Sequence, residues 1–106
     1  MATGILGTSD LAAITDTIVY TVPADTFSVV TVNICNRTNV PKNVRLAIAA
    51  SGTPGNAEWI EYDVEILANG VLERTGIVLD ATKNIVAYAN STGVGVQVYG
   101  IETATA

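Results

Sequence analysis

Four carboxylates crowd one short run, "EWIEYDVEI" at residues 58–66, where Glu58, Glu61, Asp63 and Glu65 stand among Trp59, Ile60, Tyr62, Val64 and Ile66. On a strand, Glu61, Asp63 and Glu65 at i, i+2 and i+4 share one side, about 7 Å apart. Hard oxygens in such a row could bridge calcium, and a carboxylate pair could cleave a glycosidic bond. Calcium loops, however, take their ligands from turns whose backbone carbonyls complete the shell, and a flat strand offers none. A glycosidase needs a sugar cleft and one raised pKa. The row therefore reads as a solvent-facing or partner-facing strand side. Trp59 on the same side adds docking character, because tryptophan is enriched among binding hot spots.

Other chemistry is scarce. The chain has no histidine, which removes the commonest general base and zinc ligand together. Cys35 is the sole cysteine, so no intrachain disulfide can form, and its place among Val, Ile and Asn suits a small buried hydrophobe. "GVGVQVYG" at 93–100 has glycines but neither the spacing nor the following helix of a phosphate loop; Gly95 and Gly100 fit close backbone approach or a bulge. "NRT" at 36–38 and "NST" at 90–92 satisfy the glycosylation pattern by coincidence. Arg74, beside Glu73, reads as one half of a structural ion pair with a carboxylate of a neighbouring strand or subunit. No catalytic, cofactor-binding or metal-ligating residue and no cofactor are expected, and the chain reads as a non-enzyme.

The 106 residues suffice for one domain. Only 14% are charged although 49% are hydrophobic, and so low a charge content implies that other protein covers part of the surface. The net charge of −5, with five scattered Lys and Arg, opposes nucleic-acid binding, which needs clustered cations. No apolar run approaches a membrane span of ~20 residues. The opening "MATGILGTSDLAAITD" lacks the basic and apolar regions of a secretory signal, so cytosolic synthesis is expected.

Strands must position these side chains. β-Branched runs separated by turn residues predict strands at 17–22, 26–37, 43–50, 58–66, 70–79, 84–89 and 94–102. The sum is an antiparallel β-sandwich, jelly-roll or Ig-like, of about seven to eight strands. Residues 1–16 form an N-terminal arm or extra edge strand, 17–102 the sandwich, and 103–106 a short unanchored tail. Asn69-Gly70 predicts a type I′ hairpin turn. Alternation places Val44, Leu46, Ile48 and Ala50 on a core face opposite Asn43, Arg45, Ala47 and Ala49. It likewise sets Ile60, Tyr62, Val64 and Ile66 opposite Trp59, Glu61, Asp63 and Glu65. The strand at 26–37 is apolar on both sides: Val30, Val32 and Ile34 on one, Phe27, Val29 and Cys35 on the other. A neighbouring subunit or a folded-over loop would cover the second side. Candidate interface residues are thus Phe27, Val29, Trp59, Glu61, Asp63, Glu65 and Arg74.

"VYTVPADTFSVVTVNICNRT" (19–38), "LANGVLERTGIVLDATKNIVAYAN" (67–90) and "VGVQVYGIE" (94–102), together about half the chain, resemble small virion structural proteins of tailed bacteriophages. The resemblance implies a sandwich used as a building block in the virion, made in the host cytoplasm. Its partners would be the major capsid protein, other virion proteins and further copies of itself, as in a trimer. The role implied is capsid decoration or cement, with a tail, baseplate or fibre component, including a receptor-binding tip, as the alternative. It carries over no enzymatic residue.

Overall fold

β-Branched residues at alternate positions suit a pleated, half-buried surface, and each such run becomes a strand. In the computed structural model, which describes residues 2–105, these are β1 (Thr3–Asp10), β2 (Thr17–Thr21), β3 (Thr26–Asn36), β4 (Lys42–Ala49), β5 (Trp59–Ile66), β6 (Val71–Leu79), β7 (Asn84–Ala89) and β8 (Val94–Ala104). They form two antiparallel four-stranded sheets. Sheet A has the order β1-β8-β3-β6 and sheet B the order β2-β7-β4-β5. Pairing first with eighth, second with seventh, third with sixth and fourth with fifth is what rolling up one long hairpin produces. That connectivity is a jelly roll, and it differs from the strand partition of an Ig-like sandwich.

The core lies between the sheets. From sheet A it receives Val30, Val32 and Ile34 of β3, Ile77 and Leu79 of β6, and Val94, Val96 and Val98 of β8. From sheet B come Val44 and Leu46 of β4, Ile66 of β5, and Ile85, Ala87 and Ala89 of β7. Burial of each large aliphatic side chain contributes about 1.5–3 kcal/mol. Leu11, beyond the end of β1, is also buried there.

The two lateral edges close by different means. On one, β1 meets β2 where Gly7 lies against the Val19 carbonyl; a Cβ at Gly7 would overlap that oxygen. On the other, β6 and β5 face each other across the sheets and are joined by an ion pair described below. Sheet A is further compacted by Gly100, whose missing side chain lets β8 lie against Val29 and Val30 of β3.

Two expectations change. Of the arm or extra edge strand expected at residues 1–16, residues 3–10 form an edge strand paired with β8, and residues 11–16 are a connector held by the Leu11 and Ile14 amides, which donate to Val94 and Ala89. Asn69-Gly70 does not close a hairpin: β5 pairs with β4 in sheet B and β6 with β3 in sheet A, so the turn carries the chain from one sheet to the other. The turn has a positive φ at Asn69 alone and a Gly70 N–H bond to Leu67 O of 2.9 Å. The tail is anchored, since Thr103 and Ala104 continue β8 opposite Phe27 and Thr26 and Thr105 N–H donates to Asp25 O. Met1 of the expected arm and Ala106 of the expected tail lie outside the described residues.

Candidate functional site

The acidic row does not survive folding as a row. Two register shifts interrupt β5 against β4, and Asp63 takes a left-handed backbone conformation (φ 52°). Such bulges rotate successive side chains away from strict alternation. Glu61 pairs with core-facing Leu46 and reaches across the sandwich edge to Arg74 of β6, Oε2 to Nη1 2.6 Å. The carboxylate paired with Arg74 therefore belongs to the same chain. Asp63 faces outward and accepts from Arg45 at 2.6 Å (Nε) and 3.3 Å (Nη2). Glu65 stands exposed opposite Asn43. Glu58 accepts the Gly55 and Ala50 amides at 2.7 and 3.0 Å, and those backbone donors hold its pKa below the ordinary carboxylate value.

The same bulge moves Tyr62, expected in the core, to the outer face of sheet B, where it is 56% exposed. Its ring meets Trp59 edge to face, centroids 5.4 Å apart. Arg45 lies between Tyr62 and Tyr88, its guanidinium carbon 4.1 and 4.4 Å from the two ring centroids. Trp59 packs over Ala47, Ala49 and Val86, so the face of β4 expected to be polar carries a small second core. The result is an aromatic and guanidinium surface of the composition enriched at protein interfaces.

Sheet A presents a different outer face. The register aligns Ile101 of β8, Val29 of β3 and Val78 of β6 in one cross-strand row. Ile101 is 48% exposed and Val78 63%. Phe27 flanks Val29 on β3, opposite Thr103, and Ile5 on β1 is 59% exposed beside Tyr99. Phe27 and Val29 are only half-buried.

Toward the other end of this face lies a groove of about 570 Å³ lined by Thr8, Ser9, Asp10, Asn33, Cys35, Gly95, Val96 and Gln97. Cys35 is thus half-exposed on the outer side of β3, not in the core, because its partner Gly95 has no side chain to cover it.

Two structural polar clusters were not legible in the sequence. Asn36 is wholly buried. Its amide donates to Val40 O and Ile66 O at 2.8 and 3.1 Å, and its Oδ1 accepts from Thr38 N. The first glycosylation pattern is therefore a structural asparagine. Tyr20 joins the sheets: its hydroxyl donates to Glu102 at 2.5 Å and accepts from Ser28 at 2.6 Å. Burial first, then the bond to Glu102, push the Tyr20 pKa up to about 12. Glu102 is held below its ordinary value by Tyr20 and then by the Ala2 amide. Among the described residues no group of three or more His, Cys, Asp or Glu is placed to hold a metal ion.

Comparison with family models, curated proteins and solved structures returned no match to this chain.

Proposed function

We propose that this chain is a non-enzymatic structural subunit of a tailed-phage virion, a capsid decoration or cement protein that holds neighbouring major capsid protein subunits together. The observation that carries the reading is the back-to-back placement of two adhesive faces. One is the apolar row Ile101, Val29 and Val78 of sheet A; the other is the Trp59, Tyr62, Arg45 and Tyr88 surface of sheet B.

A sandwich with an adhesive surface on each side can bridge two neighbours, adding interface area that their own contact lacks. Many copies on one lattice engage many weak contacts at once, so modest single affinities suffice. Glu58, Glu61, Asp63 and Glu102 are each tied to a structural partner, which supports adhesion over acid–base chemistry. The low charge content fits a surface that is covered after assembly.

The test is co-sedimentation of the purified protein with expanded and unexpanded heads that lack it. Saturable uptake by expanded heads is the expected result, weakened roughly ten-fold by Val78→Asp and by Tyr62→Ala. Heads that take up none of it overturn the proposal, and binding confined to tails or baseplates moves the adhesive role there.

A further inference from the structure

β3 and β8 are the two central strands of sheet A, and their outward side chains meet in five cross-strand pairs, from Phe27 with Thr103 to Cys35 with Gly95. None of these positions, the odd-numbered residues 27–35 and 95–103, is Asp, Glu, Lys or Arg. The chain nonetheless has ten acidic residues against five basic ones. Charges on this side of sheet A stand at its margin and are already bonded: Asp10 to Arg37 at 2.9 Å, and Glu73 of β6 to the Tyr99 hydroxyl at 3.1 Å. The outer face of sheet B differs, since it carries Arg45, Asp63 and Glu65.

A net charge of −5 makes two copies repel at long range, and like charges juxtaposed in a contact are costly. In a two-fold contact one patch meets itself, so a charge near the axis faces its own counterpart. A neutral centre is therefore what self-contact requires. Recognition of a different protein is ordinarily steered by complementary charge, of which the centre of this face has none. The area also suffices. Four strands about 4.8 Å apart and a β3 of 11 residues at about 3.3 Å each give a footprint of about 700 Å² per copy, or about 1,400 Å² for a pair, within the range of stable interfaces. Exposed Ile5, Val78 and Ile101, with half-buried Phe27 and Val29, would fill the layer between two stacked sheets.

We propose that the outer face of sheet A is the contact between two copies of this chain, an isologous dimer packed sheet to sheet about a two-fold axis that passes through the β3–β8 pair. Each copy then turns its Trp59, Tyr62, Arg45 and Tyr88 surface away from the other, so the dimer carries two identical surfaces on opposite sides. The assignment rests on the proposed function only in leaving those surfaces to the shell. Two linked footholds hold more tightly than one, and the loss of head uptake expected of Val78→Asp follows from loss of the dimer.

Sedimentation equilibrium of the purified full chain, from about 1 to 200 µM, tests it without heads. A reversible shift from the 11.0 kDa monomer to twice that mass is expected, with a Kd of about 10 µM. Val29→Asp and Ile101→Lys each set a charge beside its own counterpart and should weaken the dimer at least about ten-fold, with circular dichroism checking that the fold is kept; Tyr62→Ala on sheet B leaves it unchanged. Cys35, half-exposed on this face, reports the contact, since its reaction with an aromatic disulfide reagent should slow as the dimer forms and stay fast in Val29→Asp. A chain that is still monomeric at about 200 µM overturns the proposal, as does a trimer or a dimer that survives both charge variants. A dimer that binds no heads leaves this inference standing and overturns the shell reading, whereas a monomer taken up by expanded heads does the reverse.

Discussion

Arg74 on β6 of sheet A and Glu61 on β5 of sheet B meet at 2.6 Å across the lateral edge of the sandwich. No backbone ladder joins these strands, so the side chains connect what hydrogen bonding leaves open. Arg74 is also within 3.4 Å of Ile60 O. Arg74→Ala or Glu61→Ala should each cost about 1 kcal/mol, with most of the loss shared in the double variant. A double-mutant cycle by urea unfolding measures this; additive losses would show that the pair contributes no coupling.

Tyr20 sets an alkaline limit on stability. Its pKa is about 12 in the folded protein against an ordinary value of 10.0, so the phenol stays protonated in the fold while the unfolded chain ionises. The contribution is fully present below pH 10 and is lost as pH rises from 10 to 12, at most on the order of 2–3 kcal/mol. Tyr20→Phe should unfold with less pH dependence in that window, as followed by circular dichroism.

Glu102 acts at the other extreme. Its folded pKa is depressed by Tyr20 and the Ala2 amide, so its contribution is present above the ordinary carboxylate value and fades as pH falls through the depressed one. Glu102→Gln should flatten the acid limb of the stability curve and leave the alkaline shift of Tyr20 smaller.

Gly100→Ala should be among the most damaging small substitutions. The new Cβ would overlap Val29 O and come within 2.8 Å of Val30 Cα, both backbone atoms that cannot yield. A loss of about 2–4 kcal/mol is expected. Gly76, at φ 68° with nothing within 4 Å of a Cβ, is the control: Gly76→Asn should cost under about 1 kcal/mol. Thermal unfolding of both variants decides it.

Trp59→Ala should have two separable effects. It uncovers Ala47, Ala49 and Val86, lowering stability by about 1–3 kcal/mol. It also removes the edge-to-face partner of Tyr62. Tyr62→Ala, at a more exposed position, should weaken head uptake with little loss of stability, so comparing the two by denaturation and co-sedimentation separates support from contact.

Much of this molecule follows from local pattern. Seven strands lie within a few residues of where alternation and turn residues set them, because the choice between strand and loop depends on neighbours in the chain. The two-sided apolar character of "TFSVVTVNICN" also held: β3 is a central strand whose inner side chains are buried and whose outer ones are half-covered. What local pattern missed was contact between distant segments. The bulge at Asp63 answers to the pairing of β5 with β4; it sends Tyr62 outward and turns Glu61 to the edge. Asn36, whose glycosylation pattern reads as coincidence, shows its structural role only when β5 and the 37–41 loop converge on its amide.

By itself, then, the order of residues determined that the chain folds into β strands, where most of them begin and end, and which side of most strands is apolar. Only the tertiary structure decided jelly roll over Ig-like sandwich, broke up the acidic row by pairing Glu61 with Arg74 and Asp63 with Arg45, and assembled the adhesive faces and the groove. The physical reason is one of range. Side-chain alternation repeats every two residues along a strand, whereas the partner of each strand, and hence every cross-strand cluster, is set by pairings such as β1 with β8 that span nearly the whole chain.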